Sequence, residues 1–143
     1  MSYITKTSES QKKLRDWLAL AKENLLIAQS NLNARFSPYH TICFLSQESA
    51  QKYLKAYLIA QGWRLDETDD LKKLIKEALS YDASFSALFS TTNVLNGYAL
   101  DGFYPGESNF EHIDKIKAKE AIEAAEKIEQ FVLSKLANFT EIL

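Results

Sequence analysis

Phe44–Gly62 reads "FLSQESAQKYLKAYLIAQG", and the spacing of its apolar residues decides the fold. With Ile42 just ahead of it, Leu45, Tyr53, Ala56 and Ile59 fall on one helical face, while Leu54, Tyr57 and Leu58 fall on another. A helix that is apolar on more than one face is a central helix, covered by several neighbours or by a second subunit. The pattern predicts a helix from about Tyr39 to Gln61, opened after Pro38 and stopped at Gly62. Glu48, Gln51, Lys52 and Lys55 form its polar stripe. Glu48 with Lys52, and Gln51 with Lys55, stand four apart, a spacing that stabilises a helix surface by about 0.2–0.5 kcal/mol per pair.

Working outward, Leu14, Leu18, Ala21, Leu25, Ala28 and Leu32 alternate steps of four and three and line one side of a preceding amphipathic helix. Trp17 widens that stripe. The helix starts after Ser8 or Ser10 and fades near Asn31–Arg35. Downstream, "WRLDETDD" makes a turn and an acidic start, in which Asp66, Glu67, Asp69 and Asp70 complement a helix N-terminus. Leu71, Leu74, Ile75, Ala78 and Leu79 carry the short helix that follows. Phe85, Leu88, Phe89, Thr92 and Leu95 carry a fourth, ended by Asn96-Gly97. Asp114 caps a last helix bearing Ala118, Ala121, Ile122, Ala125, Ile128, Val132 and Leu136. No hairpin or repeat signal interrupts this series. The expectation is one all-α domain over residues 1–143, an up-and-down helical bundle of four main helices plus a short one. Its core spans about 10–136, with 137–143 as a tail.

The totals narrow the function. The chain of 143 residues is 46% apolar and 25% charged, which is a globular composition. Seventeen basic residues against 19 acidic ones leave a net charge of −2, so there is no strong nucleic-acid signal. Cys43 is the one cysteine and has no partner for an internal disulfide. "MSYITKTSESQKK" lacks the apolar core of a secretory signal, and no apolar run approaches a membrane span. A soluble, cytoplasmic protein is expected.

Candidate chemistry is sparse. His40 and Cys43 stand three apart on a helix, but a metal site needs three or four ligands, so no metal or other cofactor is expected. "ICFL" around Cys43 looks like core, where a thiol is inert. No nucleophile elbow and no glycine-rich phosphate loop occurs. One loop stands out: "YALDGFYPGESN", Tyr98–Asn109. Gly97, Gly102 and Gly106, three of the four glycines, crowd in and beside it with Pro105, Phe103 and Tyr104. Long loops between packed helices are more often functional than idle.

Phe44, Ala50, Lys52, Leu54, Lys55, Ala56 and Leu58 fall on the pattern F-x-x-x-Q-A-A-E-K-x-L-K-A-x-L. By that match the block resembles the signature helix of HEPN domains, small helical proteins of prokaryotes that are often paired with a minimal nucleotidyltransferase. Glu48 stands where the family has Gln, and Gln51 where it has Glu. Trp17 with the following A-x-x-x-L spacing is similar to the first HEPN helix, with Asn24 where Asp is common. "TDDLKKLIKEA" resembles the H-D-L-x-x-L segment, with Asp69 in place of His. "FYPGE" resembles the Arg-Tyr-Pro-Gly motif, with Phe103 in place of Arg. Ala118–Leu136 resembles the closing helix, so the resemblance runs over about 10–136.

The resemblance implies a homodimeric bundle encoded in modules of toxin–antitoxin type, with nucleotide binding proposed for the group. Many members are ribonucleases with an Arg-x(4–6)-His motif. Arg35 and His40 satisfy that count, but they sit between the first two helices, whereas the family's motif comes late in the bundle. Arg35 more simply serves a helix C-terminus. The expected function is therefore a non-catalytic domain that binds a partner protein, a nucleotidyltransferase, and a nucleotide ligand. Glu48, Gln51, Lys52, Lys55, Phe103 and Tyr104 are its binding residues, and the loop of Phe103 and Tyr104 is an ordered binding or packing edge. The alternatives are a ribonuclease toxin using Arg35 and His40, and a structural adaptor dimerising through Tyr53 or Tyr57.

Overall fold

A computed structural model describes residues 8–36, 38–64, 67–98 and 113–137. The chain forms the expected all-α bundle. The described residues form five α-helices: α1 (Ser8–Asn31), α2 (Tyr39–Ala60), α3 (Leu71–Leu79), α4 (Phe89–Leu95) and α5 (Lys115–Lys135). No strand occurs among the described residues.

Local chemistry sets the helix ends. At the end of α2, Gly62 takes φ +88, a left-handed conformation that costs glycine little. Its N–H donates to Ile59 O at 2.9 Å, and the Trp63 N–H donates to Leu58 O at 2.9 Å. Together these close the carbonyls of the last turn in a Schellman arrangement. Asp114 caps α5 by accepting from the Lys117 N–H at 2.9 Å. At α3 the acidic run resolves into one cap, Asp70, which accepts from the Lys72 N–H at 3.0 Å. Asn96 reaches back from beyond α4 and accepts the Leu71 N–H at 2.9 Å.

The fourth helical segment is less regular than its spacing suggests. Ala83–Leu88 is a 3-10 turn that runs into α4, and Asn96–Tyr98 is a second. Asp82 tightens the first one, because its Oδ1 accepts both the N–H of Ser84 at 2.9 Å and its hydroxyl at 2.6 Å. Tight turns of this kind are frequent at helix ends.

α2 is the axis of the bundle and packs most extensively on α1 and α5. Every residue from Tyr53 to Ala60 is buried. Tyr53 and Tyr57 are 1% and 3% exposed, so both are spent inside this chain's core and neither offers a dimer contact. The Tyr57 ring lies 4.4 Å from that of Phe85, which meets Phe131 edge-on at 4.9 Å. These contacts join α2, the first 3-10 turn and α5. Ser49 on α2 donates to Ala21 O on α1 at 2.7 Å. Lys22 and Gln29 of α1 meet Glu129 and Glu126 of α5, an order that sets these two helices antiparallel.

Candidate functional site at the seam of α1 and α2

The four polar residues expected on α2 come together as one hydrogen-bonded ladder. Lys52 Nζ donates to Glu48 Oε1 at 3.2 Å and crosses to α1, where it donates to Asn24 Oδ1 at 2.9 Å. With its amide assigned in the orientation that the surrounding donors and acceptors require, Gln51 Nε2 donates to Glu48 Oε2 at 2.9 Å, and Gln51 Oε1 accepts from Lys55 Nζ at 3.0 Å. This amide orientation satisfies both neighbours. The ladder therefore runs Lys55–Gln51–Glu48–Lys52–Asn24, with the carboxylate bonded to one ammonium directly and joined to the second through the amide.

The stripe is not the solvated face its spacing suggests. Lys55 is only 4% exposed, and its Nζ lies 5.7 Å from the centre of the Trp17 ring. An aromatic face attracts a cation at that range, and the aliphatic stem packs as an apolar chain would. Glu48 and Lys52 lie nearer the surface, at 26% and 19% side-chain exposure. Asn24 completes the ladder, and the spacing of α2 alone does not point to it.

A second polar contact lies deeper. Glu129 Oε2 accepts the Tyr53 hydroxyl at 2.6 Å and Lys22 Nζ at 3.0 Å, which ties α2, α1 and α5 at one oxygen. Burial, and after it the neighbouring Glu129, raises the Tyr53 hydroxyl far above its ordinary range, so it stays protonated and donates. The signal in the sequence is positional: Glu129 stands on the stripe of Ile122, Ala125 and Val132, where an apolar residue is the usual occupant.

Cys43 is buried, and desolvation pushes its thiol up to about 12 despite a hydrogen bond with Tyr98. At neutral pH it is a packed, protonated thiol. Arg35 is exposed in the connection after α1, while His40 is the half-buried second residue of α2. Arg35 also lies beyond the last turn of α1, where Asn31 Nδ2 and Ser30 Oγ donate to Ile27 O at 2.8 and 3.1 Å. Among the described residues no three His, Cys, Asp or Glu gather as metal ligands, and no helix is long and apolar enough to cross a membrane. Phe103 and Tyr104 lie outside the described residues, as does most of the Tyr98–Asn109 loop. A groove of about 620 Å³ between α4 and α5 is lined by Ser90, Asn93, Lys117, Glu120, Glu123 and Lys127 among others. Its alternating charges favour no single ligand sign.

The family model for the HEPN domain matches residues 14–136. The chain belongs to the HEPN domain family. An archaeal HEPN homologue of known crystal structure has the same fold, with a TM-score of 0.68 at 23% identity over 86% of this chain and 97% of its own. Comparison with curated proteins finds no match. In HEPN terms, the ladder explains how Glu48 and Gln51 can exchange the family's usual amide and acid. Either order leaves one carboxylate between the two lysines, with the amide bridging on to the second.

Proposed function

We propose that this HEPN domain is non-catalytic and works by association, as a cytoplasmic homodimer that engages a partner protein of nucleotidyltransferase type and a nucleotide. The contact site is the α1–α2 seam. The observation that carries the proposal is the outer end of the ladder: Glu48, Lys52 and Asn24 reach the surface beside the half-exposed apolar residues Leu20 and Ile27. Leu20 and Ile27 stand four before and three after Asn24, so they flank it on the surface of α1. Exposed apolar side chains bordered by fixed polar groups are the composition of a contact surface. The one thiol, buried and protonated, offers no nucleophile.

Co-expression with the product of the adjacent reading frame tests the reading. Co-purification of the two is expected, and it should weaken when Glu48 and Lys52 are both replaced by alanine. Nucleotide titration should raise the melting temperature in a saturable way. RNA cleavage that disappears on His40→Ala would overturn the proposal in favour of a ribonuclease.

A further inference from the structure

Of the eight large apolar side chains exposed among the described residues, three are on one helix: Leu20, Leu26 and Ile27 of α1, at 48%, 51% and 43% exposure. The remaining five are Phe36 and Tyr81 in connections, Val94 on α4, and Ile116 and Leu133 seventeen residues apart on α5, scattered as apolar residues on a surface commonly are. Leu20 and Ile27 are seven residues apart. They lie on the same face two turns apart, the repeat of a helix–helix seam. Between them stand Glu23, exposed and without an ion-pair partner among the described residues, and Asn24, which holds Lys52 Nζ at 2.9 Å.

We propose that this face of α1 pairs antiparallel with α1 of a second copy, Leu20 of each packing on Ile27 of the other. The proposal rests on the homodimer reading above and names the surface that makes the dimer. In this register the two-fold axis passes between positions 23 and 24. It is the antiparallel register in which both apolar residues of each copy find an apolar partner. It also sets Glu23 opposite Asn24 of the second copy, beside the Lys52 that Asn24 holds, so carboxylate meets ammonium twice across the axis. Further out, Asp16 lies opposite Asn31. A parallel pairing would align the same apolar residues but would stack Glu23 on Glu23 and Asp16 on Asp16, like charges at matching positions. Charge complementarity therefore selects the antiparallel arrangement.

Sedimentation of the full chain at micromolar concentration tests the surface. A dimer is expected for the wild type. Leu20→Glu and Ile27→Glu should each raise the dissociation constant at least tenfold while leaving helicity and the monomer's melting temperature near wild type, because both side chains are already half exposed. Ile116→Glu, at the most exposed apolar position of α5, should leave the dimer intact. A monomeric wild type would remove the homodimer reading along with this proposal. A dimer that survives both α1 substitutions would overturn this surface alone. Disulfide trapping tests the register: Leu20→Cys/Ile27→Cys should cross-link on oxidation, and Ile27→Cys alone should not. Two Ile27 positions would be about 10 Å apart along the antiparallel helices, beyond the reach of a disulfide. Cross-linking by Ile27→Cys alone would overturn the antiparallel register. Cys43 is buried and does not compete.

Discussion

Tyr53 shows how much one hydroxyl can decide. It donates at 2.6 Å to a carboxylate that is itself 8% exposed and shared with Lys22. Tyr53→Phe keeps the ring and leaves Glu129 short of a buried donor, so a loss of about 1.5–3 kcal/mol is expected in urea unfolding. A variant as stable as wild type would show that water replaces the hydroxyl. At the ladder, Glu48→Gln removes the one carboxylate between Lys52 and Lys55. Part of the ladder is exposed, so a cost of about 1–2 kcal/mol is expected. Adding Gln51→Glu should recover most of it, and a double-mutant cycle with no coupling would refute the ladder's interchangeability. The sequence shows both the Glu–Lys spacing and the misplaced acid at 129, but not the partners. Those depend on which helix faces which.

Helix ends respond to a different chemistry. Gly62 holds its positive φ with nothing within 4 Å of where a Cβ would stand, so Gly62→Ala tests conformation without a clash. A loss of about 1–2 kcal/mol is expected from the left-handed backbone alone. Asp82 joins two elements: it caps the 3-10 turn through Ser84 and takes Lys135 Nζ of α5 at 2.9 Å. The Ser84 bonds, and then Lys135, hold its carboxyl down at about 2 from an ordinary 3.8. A depressed folded pKa means that this contribution is complete above about pH 4 and is lost as pH falls through 2. Acid unfolding followed by circular dichroism should therefore show a shallower stability loss between pH 4 and 2 in Asp82→Asn. An unchanged acid limb would assign that loss to other carboxylates. The cap at Asp114 and the stop at Gly62 are legible because capping depends on residues within a turn of each other, whereas the acidic run before α3 does not single out Asp70. The 3-10 start of the fourth segment is not legible, because apolar spacing over so few residues fits either helix type.

For the whole molecule, the HEPN fold follows from a central helix buried along its second half and covered by α1 and α5. If two such bundles associate, dilution must destabilise them. The melting temperature should then rise with protein concentration in the wild type and lose that dependence in Leu20→Glu. A concentration-independent transition in both would point to a monomer. The Tyr53 or Tyr57 dimer contact weighed from sequence fails at this scale. Tyr53 is met by Glu129 of α5 and Tyr57 by Phe85, so both rings are committed within the chain.

What the sequence determined by itself is local: which segments are helical, where α2 and α5 stop or start, and that α2 is apolar on more than one side. Helical periodicity and capping are properties of residues a few positions apart, so one strand of text carries them. Only the tertiary structure decided that Lys55 lies buried against Trp17, that Asn24 completes the ladder, and that Glu129 is met by a tyrosine and a lysine. Each of these joins residues on different helices. A long polar side chain can end in water or in a seam, and packing between helices, not spacing along one, makes that choice.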